Sequence, residues 1–175
     1  MNKFIASNSK SLKYSKRKYK KQSWRIQEKR MDILFAILIK LKANLQCQRC
    51  KRQYFITNTY KIPAGLQCSH RFSRSHRNTR WSYDNCFSMC GGCHQYLDAN
   101  KEIYDEWLLE QAYHTVDSLI FLKHKAHNVF KGDRSLIEIW ITQELMIVLP
   151  KYQQLNYKEL EPIYNKQLTL LNNKR

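Results

Sequence analysis

Two pairs of cysteines with the same internal spacing are the clearest chemical feature of this chain. Cys47 and Cys50 form one Cys-x-x-Cys pair, and Cys90 and Cys93 form a second pair further along. Zinc takes four soft ligands in a tetrahedron, at about 2.3 Å from each sulfur. A Cys-x-x-Cys turn offers two thiolates to one ion, so two such turns complete a site. The spacing therefore predicts a structural Zn²⁺ site; unrelated buried cysteines and a redox pair are the alternatives.

Four more small residues lie in the same section of the chain. Gly91 and Gly92 are inside the second pair, where they fit a tight turn with positive φ. Cys68 and Cys86 belong to neither pair. We expect both to be core residues, because an unpaired cysteine behaves as a small hydrophobe. Cys68 is also an alternative metal ligand, since it stands two positions before His70.

Three polar residues in this section could together cut a phosphodiester bond: His70, Asn85 and His94. A neutral imidazole, with an ordinary pKa of about 6.5, is a suitable base at neutral pH. One divalent ion can neutralise the transition state and bind the leaving oxygen. We assign His70 as the base. Asn85 would ligate the ion or orient the base, and His94 would ligate the ion or a phosphate. Either histidine alone is better explained as a structural or surface residue, and only the combination predicts catalysis.

The spacing of these residues resembles that of the HNH endonuclease family. The pattern Asn-x4-Cys-x2-Cys-His ends at His94, and a histidine precedes it on an expected strand. The resemblance implies a two-stranded hairpin and a helix around one catalytic ion, which would be Mg²⁺ or Mn²⁺. Many members of the family add a structural zinc on two Cys-x-x-Cys pairs. The zinc pairs alone are shared by many binding modules, so the two histidines and the asparagine make the resemblance specific.

A narrower resemblance covers the run from Leu66 to His76, followed by Thr-Arg-Trp and Asp-Asn. This run is similar to the Rap/NinG recombination nucleases of lambdoid phages, which are associated with branched DNA such as Holliday junctions and displaced strands. The resemblance implies a phage or prophage protein that acts in the cytoplasm of its host. It does not extend to the two ends of the chain.

One position departs from the family pattern. Many relatives place an aspartate that holds Mg²⁺ just before the base, and this chain has Ser69 there. The ion would then depend more on His94, on water and on the scissile phosphate. Asp84 is a possible substitute ligand beside Asn85.

Basic residues are concentrated in two places that we expect to contact DNA. One is the loop between the base and Asn85, where phosphate contacts are expected. The other is the N-terminal arm. Trp81 in the loop could stack on a base or pack in the core. The predicted DNA contacts are Arg71, Arg74, Arg77, Arg80 and Trp81 in the loop, and Lys16, Arg17, Lys18, Lys20 and Lys21 in the arm.

The overall charge agrees with a polyanionic partner. The 175 residues include 31 Lys and Arg against 14 Asp and Glu, a formal charge of +17. Such a charge predicts attraction to nucleic acid or to an anionic membrane. The longest apolar run, Ile33 to Ile39, is far shorter than the ~20 residues of a spanning helix, and no cleavage site follows it. We therefore expect a cytoplasmic protein that binds DNA and no membrane.

The elements that must position these residues follow from hydrophobic periodicity. Met31, Leu34, Leu38 and Leu41 recur at spacings of three and four, which predicts a helix over 22–45. Leu66, Cys68, His70 and Phe72 alternate with polar residues, which predicts a strand with His70 on the same face as Leu66. A further helix should begin around Cys93.

The C-terminal section predicts three helices. An apolar stripe from Tyr104 to Leu119 indicates one helix, broken at Lys131-Gly132-Asp133. A second begins with Ser135 and Glu138 as a capping box and stops at Pro150. A third is expected around Leu160 to Leu171.

The predicted fold class is α+β and mostly helical. A basic flexible arm (1–21) and an N-terminal helix (22–45) precede a zinc-stapled ββα-metal core (46–100), and a helical region (101–175) packs on that core. The predicted activity is metal-dependent hydrolysis of DNA phosphodiester bonds, on branched recombination intermediates such as Holliday junctions or D-loops. A non-catalytic zinc-dependent DNA-binding module and an HNH homing or restriction-type endonuclease are the alternatives. A symmetric junction would further favour a homodimer.

Overall fold

The helices of the computed structural model outnumber its strands, and the strands form a single small sheet. The structure describes residues 24–56 and 62–152. Within these ranges five α-helices accompany one two-stranded antiparallel sheet. This confirms the α+β, mostly helical class. The predicted arm with Lys16, Arg17, Lys18, Lys20 and Lys21 lies outside the described residues, as does the third C-terminal helix.

Helix α1 (Trp24–Lys42) is the predicted N-terminal helix. Its apolar stripe is fully buried, with Met31, Leu34 and Leu38 inaccessible to solvent. Lysines in its last turn interact favourably with the helix dipole. The chain leaves the helix through Asn44 and Leu45, which both have positive φ (52° and 55°). This turn delivers the first cysteine pair to the end of the helix.

Strands β1 (Leu66–His70) and β2 (Cys86–Cys90) pair in antiparallel register, from Leu66 opposite Cys90 to His70 opposite Cys86. The register places Leu66, Cys68 and His70 on one face, as the alternation predicts. The opposite face is not simply solvent-exposed, because Ser69 is fully buried there. Its hydroxyl lies 3.0 Å from that of Tyr104 on a later helix.

Helix α2 (Gly91–Ala99) follows β2 directly, two residues earlier than expected, and α3 (Lys101–Glu110) continues almost without a break. The single helix predicted from Tyr104 to Leu119 is wrong. The chain turns after α3, with Ala112 at a φ of 53°. It restarts as α4 (Val116–His127), where Thr115 and Ser118 form a reciprocal capping box. The cap satisfies backbone groups at the start of α4, which favours two helices over one.

Helix α5 (Arg134–Val148) has a different cap from the predicted one. Asp133 accepts a hydrogen bond from the backbone N–H of Ser135, so the N-cap lies two residues before the expected position. A 3₁₀ turn over Leu149–Lys151 contains Pro150 and ends the helix. Side chains of α5 join those of α1 in the core.

One hydrophobic core connects these elements. It includes Leu34 and Phe35 of α1, Leu66 and Met89 of the hairpin, and side chains from α2, α3 and α5. The hairpin and α2 are therefore held between α1 on one side and α3 on the other. Among the described residues, the helices are too short or too polar to cross a membrane.

Candidate active site and metal centre

The four paired cysteines converge at one end of the hairpin. The sulfurs of Cys47, Cys50, Cys90 and Cys93 all lie within 4.8 Å of one another. Those of Cys50 and Cys90 are 3.7 Å apart, close to the edge of about 3.8 Å expected for a tetrahedron with 2.3 Å zinc–sulfur bonds. The predicted cluster is thus confirmed as a group that could hold a metal such as zinc, and its all-sulfur donor set fits that ion.

Different local structures present the two pairs. The first pair lies in a tight turn, in which the N–H of Lys51 donates to the carbonyl of Cys47 at 2.8 Å. The second pair spans the end of β2 and the first turn of α2. The expected positive φ at Gly91 and Gly92 is wrong, because helix α2 begins at these residues and no described glycine has a positive φ. The left-handed position is Lys51, at 59°.

The metal centre is only partly buried, since Cys50 is exposed, and Arg49 and Arg52 lie beside it. Burial, followed by the neighbouring thiol of Cys90, raises the pKa of Cys93 to about 12. The guanidinium of Arg49 opposes this effect by donating to the Cys93 sulfur at 3.8 Å. Thiols in such a setting give up their protons to a bound cation. Arg49 would offset part of the negative charge of a four-thiolate site.

A cleft of about 290 Å³ opens beside β1, between α1, α2 and the loop that connects the two strands. His70 from β1 and His94 from α2 both line it, so two of the three predicted catalytic residues share one cavity. Asp32 of α1 and Arg74 of the loop also reach its wall. The cleft therefore combines two imidazoles with groups of both charges.

The His70 ring is oriented by the loop. Its Nε2 lies 3.2 Å from the carbonyl oxygen of Arg80. Because a carbonyl only accepts, Nε2 carries the proton in the neutral ring and Nδ1 has the lone pair. Burial lowers the pKa of His70; the Arg80 carbonyl partly offsets this, and the charge of Arg74 adds to it. The imidazole is therefore neutral at pH 7, the form that a base requires.

The His94 ring is held from both sides by residues that the sequence analysis did not single out. Its Nε2 is 3.0 Å from a carboxylate oxygen of Asp98, one turn further along α2. Its Nδ1 is 2.7 Å from the side-chain amide oxygen Oε1 of Gln67 on β1. Burial lowers the pKa of His94, against the opposing charge of Asp98. The i,i+4 spacing could have indicated Asp98, whereas nothing in the sequence indicated Gln67.

Asn85 braces the loop instead of facing the cleft. Its side chain is fully buried. Its Oδ1 accepts from the N–H of Phe72 at 2.7 Å, and its Nδ2 donates to the carbonyls of Phe72 and Thr79. The expectation that Asn85 ligates a catalytic ion is therefore not met, because its amide is used within the loop. Asn85 contacts the carbonyl of Thr79, next to Arg80 whose own carbonyl contacts His70, so the alternative expectation that Asn85 orients the base stays a prediction.

Neither of the two positions considered for a further ligand reaches the cleft. Ser69 is directed to the other face of the sheet, against Tyr104. Asp84 is exposed, lies outside the cleft lining and accepts from the Ser82 hydroxyl at 3.4 Å. The suggestion that Asp84 replaces the missing aspartate is therefore wrong in this arrangement.

The loop arginines divide into two groups. Arg71 forms a two-point ion pair with Asp105, and Arg80 forms one with Asp32. Both side chains are at least four-fifths buried, so their expected role as DNA contacts is not supported. Arg74 and Arg77 are exposed (63% and 48%), and their nearest carboxylates are 3.8 Å away. They remain available to phosphates.

Trp81 packs in the core, with 8% of its surface exposed. Its indole N–H donates to Asp32 at 3.0 Å. The alternative in which it stacks on a DNA base is wrong for this structure. Asp32 thus anchors both Arg80 and Trp81 to α1. An acidic residue inside the apolar run of α1 was the available sequence signal for this role.

The two remaining cysteines have different surroundings. Cys86 is buried, as expected for a core residue, whereas Cys68 is partly buried: it packs against the core and also lines the cleft. The core assignment of Cys68 is therefore confirmed only in part. Neither belongs to the four-cysteine cluster, but their sulfurs lie within 4.8 Å of a ring nitrogen of His70.

Comparisons of the chain with protein-family models, with curated proteins and with solved structures give no match.

Proposed function

We propose that this protein is a metal-dependent DNA endonuclease with an HNH-type active site in the cleft. The observation that carries the proposal is the meeting of His70 and His94 in one open cavity, next to a four-cysteine cluster. A strand supplies the first histidine and the helix after the hairpin supplies the second. This is the order and spacing on which the sequence resemblance rests.

His70 is suited to activate a water molecule. The Arg80 carbonyl fixes its protonated nitrogen, and burial keeps the ring neutral at physiological pH. Its Nδ1 can therefore accept a proton from water bound in the cleft. Asn85 acts as a positioning residue, since it holds the loop on which the Arg80 carbonyl lies.

His94 is suited to hold a catalytic cation or a phosphate oxygen. Asp98 accepts from Nε2, whereas Nδ1 faces the amide oxygen Oε1 of Gln67, which is also an acceptor. To ligate a cation through Nδ1, the neutral ring would need the Gln67 amide to rotate away, while Asp98 keeps the proton on Nε2. A bound Mg²⁺ or Mn²⁺ would supply charge for the transition state and bind the leaving oxygen. Because Ser69 and Asp84 are directed elsewhere, water and the scissile phosphate would complete the ligand set.

The substrate is proposed to be DNA that is recognised through its backbone. Arg74 at the mouth of the cleft and Arg77 nearby are exposed, and the chain carries a formal charge of +17. Phosphate contacts of this kind carry no sequence information. The choice of branched DNA depends on the resemblance to the Rap/NinG nucleases, and a homodimer would place two active sites on one junction.

The decisive experiment is a cleavage assay on labelled linear, forked and four-way DNA with Mg²⁺ or Mn²⁺. His70→Ala should reduce the rate by about 10²-fold or more, the usual scale for a lost general base, with DNA affinity nearly unchanged. His76→Ala is the matched control. That imidazole belongs to the same loop, but its Nδ1 contacts the carbonyl of Ala126 on α4, away from the cleft lining.

Three outcomes would redirect the proposal. Equal rates for the parent and His70→Ala would place the base elsewhere. Tight DNA binding with no cutting under any condition would favour a zinc-dependent binding module. Cutting of linear duplex as fast as the four-way junction would favour a general or sequence-directed HNH nuclease.

A further inference from the structure

A second group of metal-binding side chains lies on the hairpin, apart from the four-cysteine cluster. The sulfurs of Cys68 and Cys86 and a ring nitrogen of His70 all lie within 4.8 Å of one another. The sheet register explains this proximity. His70 pairs directly with Cys86, and Cys68 precedes His70 by two positions on the same face.

The types of these three ligands select a soft cation. Two thiolates and one imidazole are a known ligand set of Zn²⁺ sites that keep a fourth position open. Hard ions such as Mg²⁺ and Ca²⁺ prefer oxygen ligands, which the trio lacks. The backbone already orients two members, since the Arg80 carbonyl lies 3.2 Å from Nε2 of His70 and 3.6 Å from the sulfur of Cys86.

The surroundings of these three side chains give a cation a route of entry and place a polar side chain next to it. Cys68 and His70 line the cleft while Cys86 is buried behind them, so a cation would enter from the cleft and keep its open position towards it. Ser88 faces Cys68 across the ladder on the same side of the sheet. Its hydroxyl is buried and has no hydrogen-bond partner among the described residues.

We propose that Cys68, His70 and Cys86 form a second metal site, selective for soft divalent cations such as Zn²⁺ and independent of the four-cysteine cluster. A cation there occupies the imidazole that the cleavage reaction needs as a base. The site is therefore inhibitory. The inhibition depends on the proposed nuclease function, whereas the binding of the cation does not.

Metal stoichiometry tests the binding directly. The full-length chain, kept reduced, is dialysed against Zn²⁺ or Co²⁺ and the bound metal is counted. The parent should bind two equivalents, and Cys68→Ser and His70→Ala should each bind one. The matched control His76→Ala should bind two. Co²⁺ in the second site should add a visible spectrum with fewer sulfur-to-metal bands than that of the four-cysteine site, and Cys68→Ser should remove this addition.

One bound metal equivalent in the folded parent would overturn the proposal. Two bound equivalents in Cys68→Ser would also overturn it. Loss of both equivalents in Cys68→Ser would signal misfolding, and His70→Ala then decides in its place. A thiol count on metal-free parent under the same reducing conditions should find all 6 cysteines free. A count of two fewer, with a Cys68–Cys86 disulfide that persists, would also overturn the site.

A second arm measures cleavage in Mg²⁺ with added Zn²⁺. The parent should lose at least 90% of its rate once the second equivalent is bound, and Cys68→Ser should need at least tenfold more Zn²⁺ for the same loss. The two proposals can fail separately. If the parent binds two metal equivalents but no protein cleaves DNA, the nuclease proposal is refuted and the second metal site is retained. If the parent cleaves DNA but binds only one equivalent, the second metal site is refuted.

Discussion

The two histidines of the cleft are prepared for different tasks by their nearest neighbours. A backbone carbonyl fixes the proton on Nε2 of His70, and a carboxylate does so for His94. Burial lowers the pKa of both rings, although the charge of Asp98 opposes this at His94. A carboxylate supports positive charge on the ring and also raises the basicity of a metal-ligating imidazole. The pattern fits His70 as a base and His94 as a ligand.

The first prediction concerns pH. Burial, aided by the charge of Arg74, lowers the pKa of His70 from the ordinary value of about 6.5. A base works only when it is unprotonated, so cleavage should persist as pH falls through 6.5 and be lost only below it. The acid limb of kcat/KM against pH reports this pKa in the free enzyme. A limb centred at or above 6.5 would contradict the assignment, and the residual activity of His70→Ala should lack the limb.

Asp98 provides a second test at the same scale. Asp98→Asn removes the charge that fixes Nε2–H of His94, and such changes beside a ligand typically cost 10- to 100-fold in metal affinity. We expect the Mn²⁺ concentration for half-maximal cleavage to rise by that factor, with a smaller change in rate at saturating Mn²⁺. Glu106→Gln, an exposed carboxylate on α3, is the control. An unchanged Mn²⁺ dependence would remove His94 from the ion.

Individual side-chain roles were predictable only where sequence spacing determines them. The four zinc-type cysteines were predictable, because Cys-x-x-Cys turns leave few other geometries. The uses of Arg71 and Arg80 were not, since their carboxylate partners Asp105 and Asp32 lie 34 and 48 positions away in the chain. A basic loop in isolation looks like a DNA contact, and its burial depends on helices packed around it.

At the scale of elements, the hairpin is too small to be stable on its own. The sheet has two strands of five residues each, which is marginal without further support. The four-cysteine cluster joins the turn after α1 to the end of β2 and the start of α2. A metal at this point would therefore tie three segments together, in addition to the core beneath them.

This arrangement predicts the effect of Cys90→Ala. Structural zinc sites contribute binding energies of about 10–16 kcal/mol in small peptides, and that energy becomes folding energy. The variant should lose zinc and expose the amides of the hairpin and α2 to hydrogen exchange, while α1 and α5 retain part of their mutual packing. Cys68→Ser is the matched control and should keep the zinc of the four-cysteine cluster. Well-folded parent protein without zinc would contradict the prediction.

The elements themselves were predictable to different degrees. Helix α1 and strand β1 follow strong periodic patterns, and both were predicted correctly. The break between α3 and α4 was not predicted, because the apolar stripe continues through Ala112 and Val116. The break combines local contacts with a tertiary one. Ser118 caps α4 together with Thr115 and lies 2.9 Å from the His114 ring, and the same ring lies 2.7 Å from the backbone carbonyl of Asp84.

Across the whole molecule, positive charge is distributed unevenly between internal pairs and free surface. Several basic side chains of the loop form ion pairs within the protein, and Arg71 and Arg80 are the clearest cases. A guanidinium already bound at two points by a carboxylate has little left to offer a phosphate. The formal charge of +17 therefore overstates what this face can offer to DNA, and the exposed Arg74 and Arg77 carry its useful part.

The salt dependence of DNA binding measures this division. Each phosphate neutralised contributes about −0.9 to the slope of log K against log salt. The double variant Arg74→Gln/Arg77→Gln should reduce the magnitude of the slope by about 2. Arg71→Gln removes one charge from a paired position and should leave the slope unchanged in folded protein. Binding isotherms on one four-way junction at several salt concentrations give both slopes. Equal slopes for the parent and both variants would mean that the basic residues that contact DNA lie outside this loop. A smaller slope for Arg71→Gln alone would mean that its pair with Asp105 opens when DNA binds.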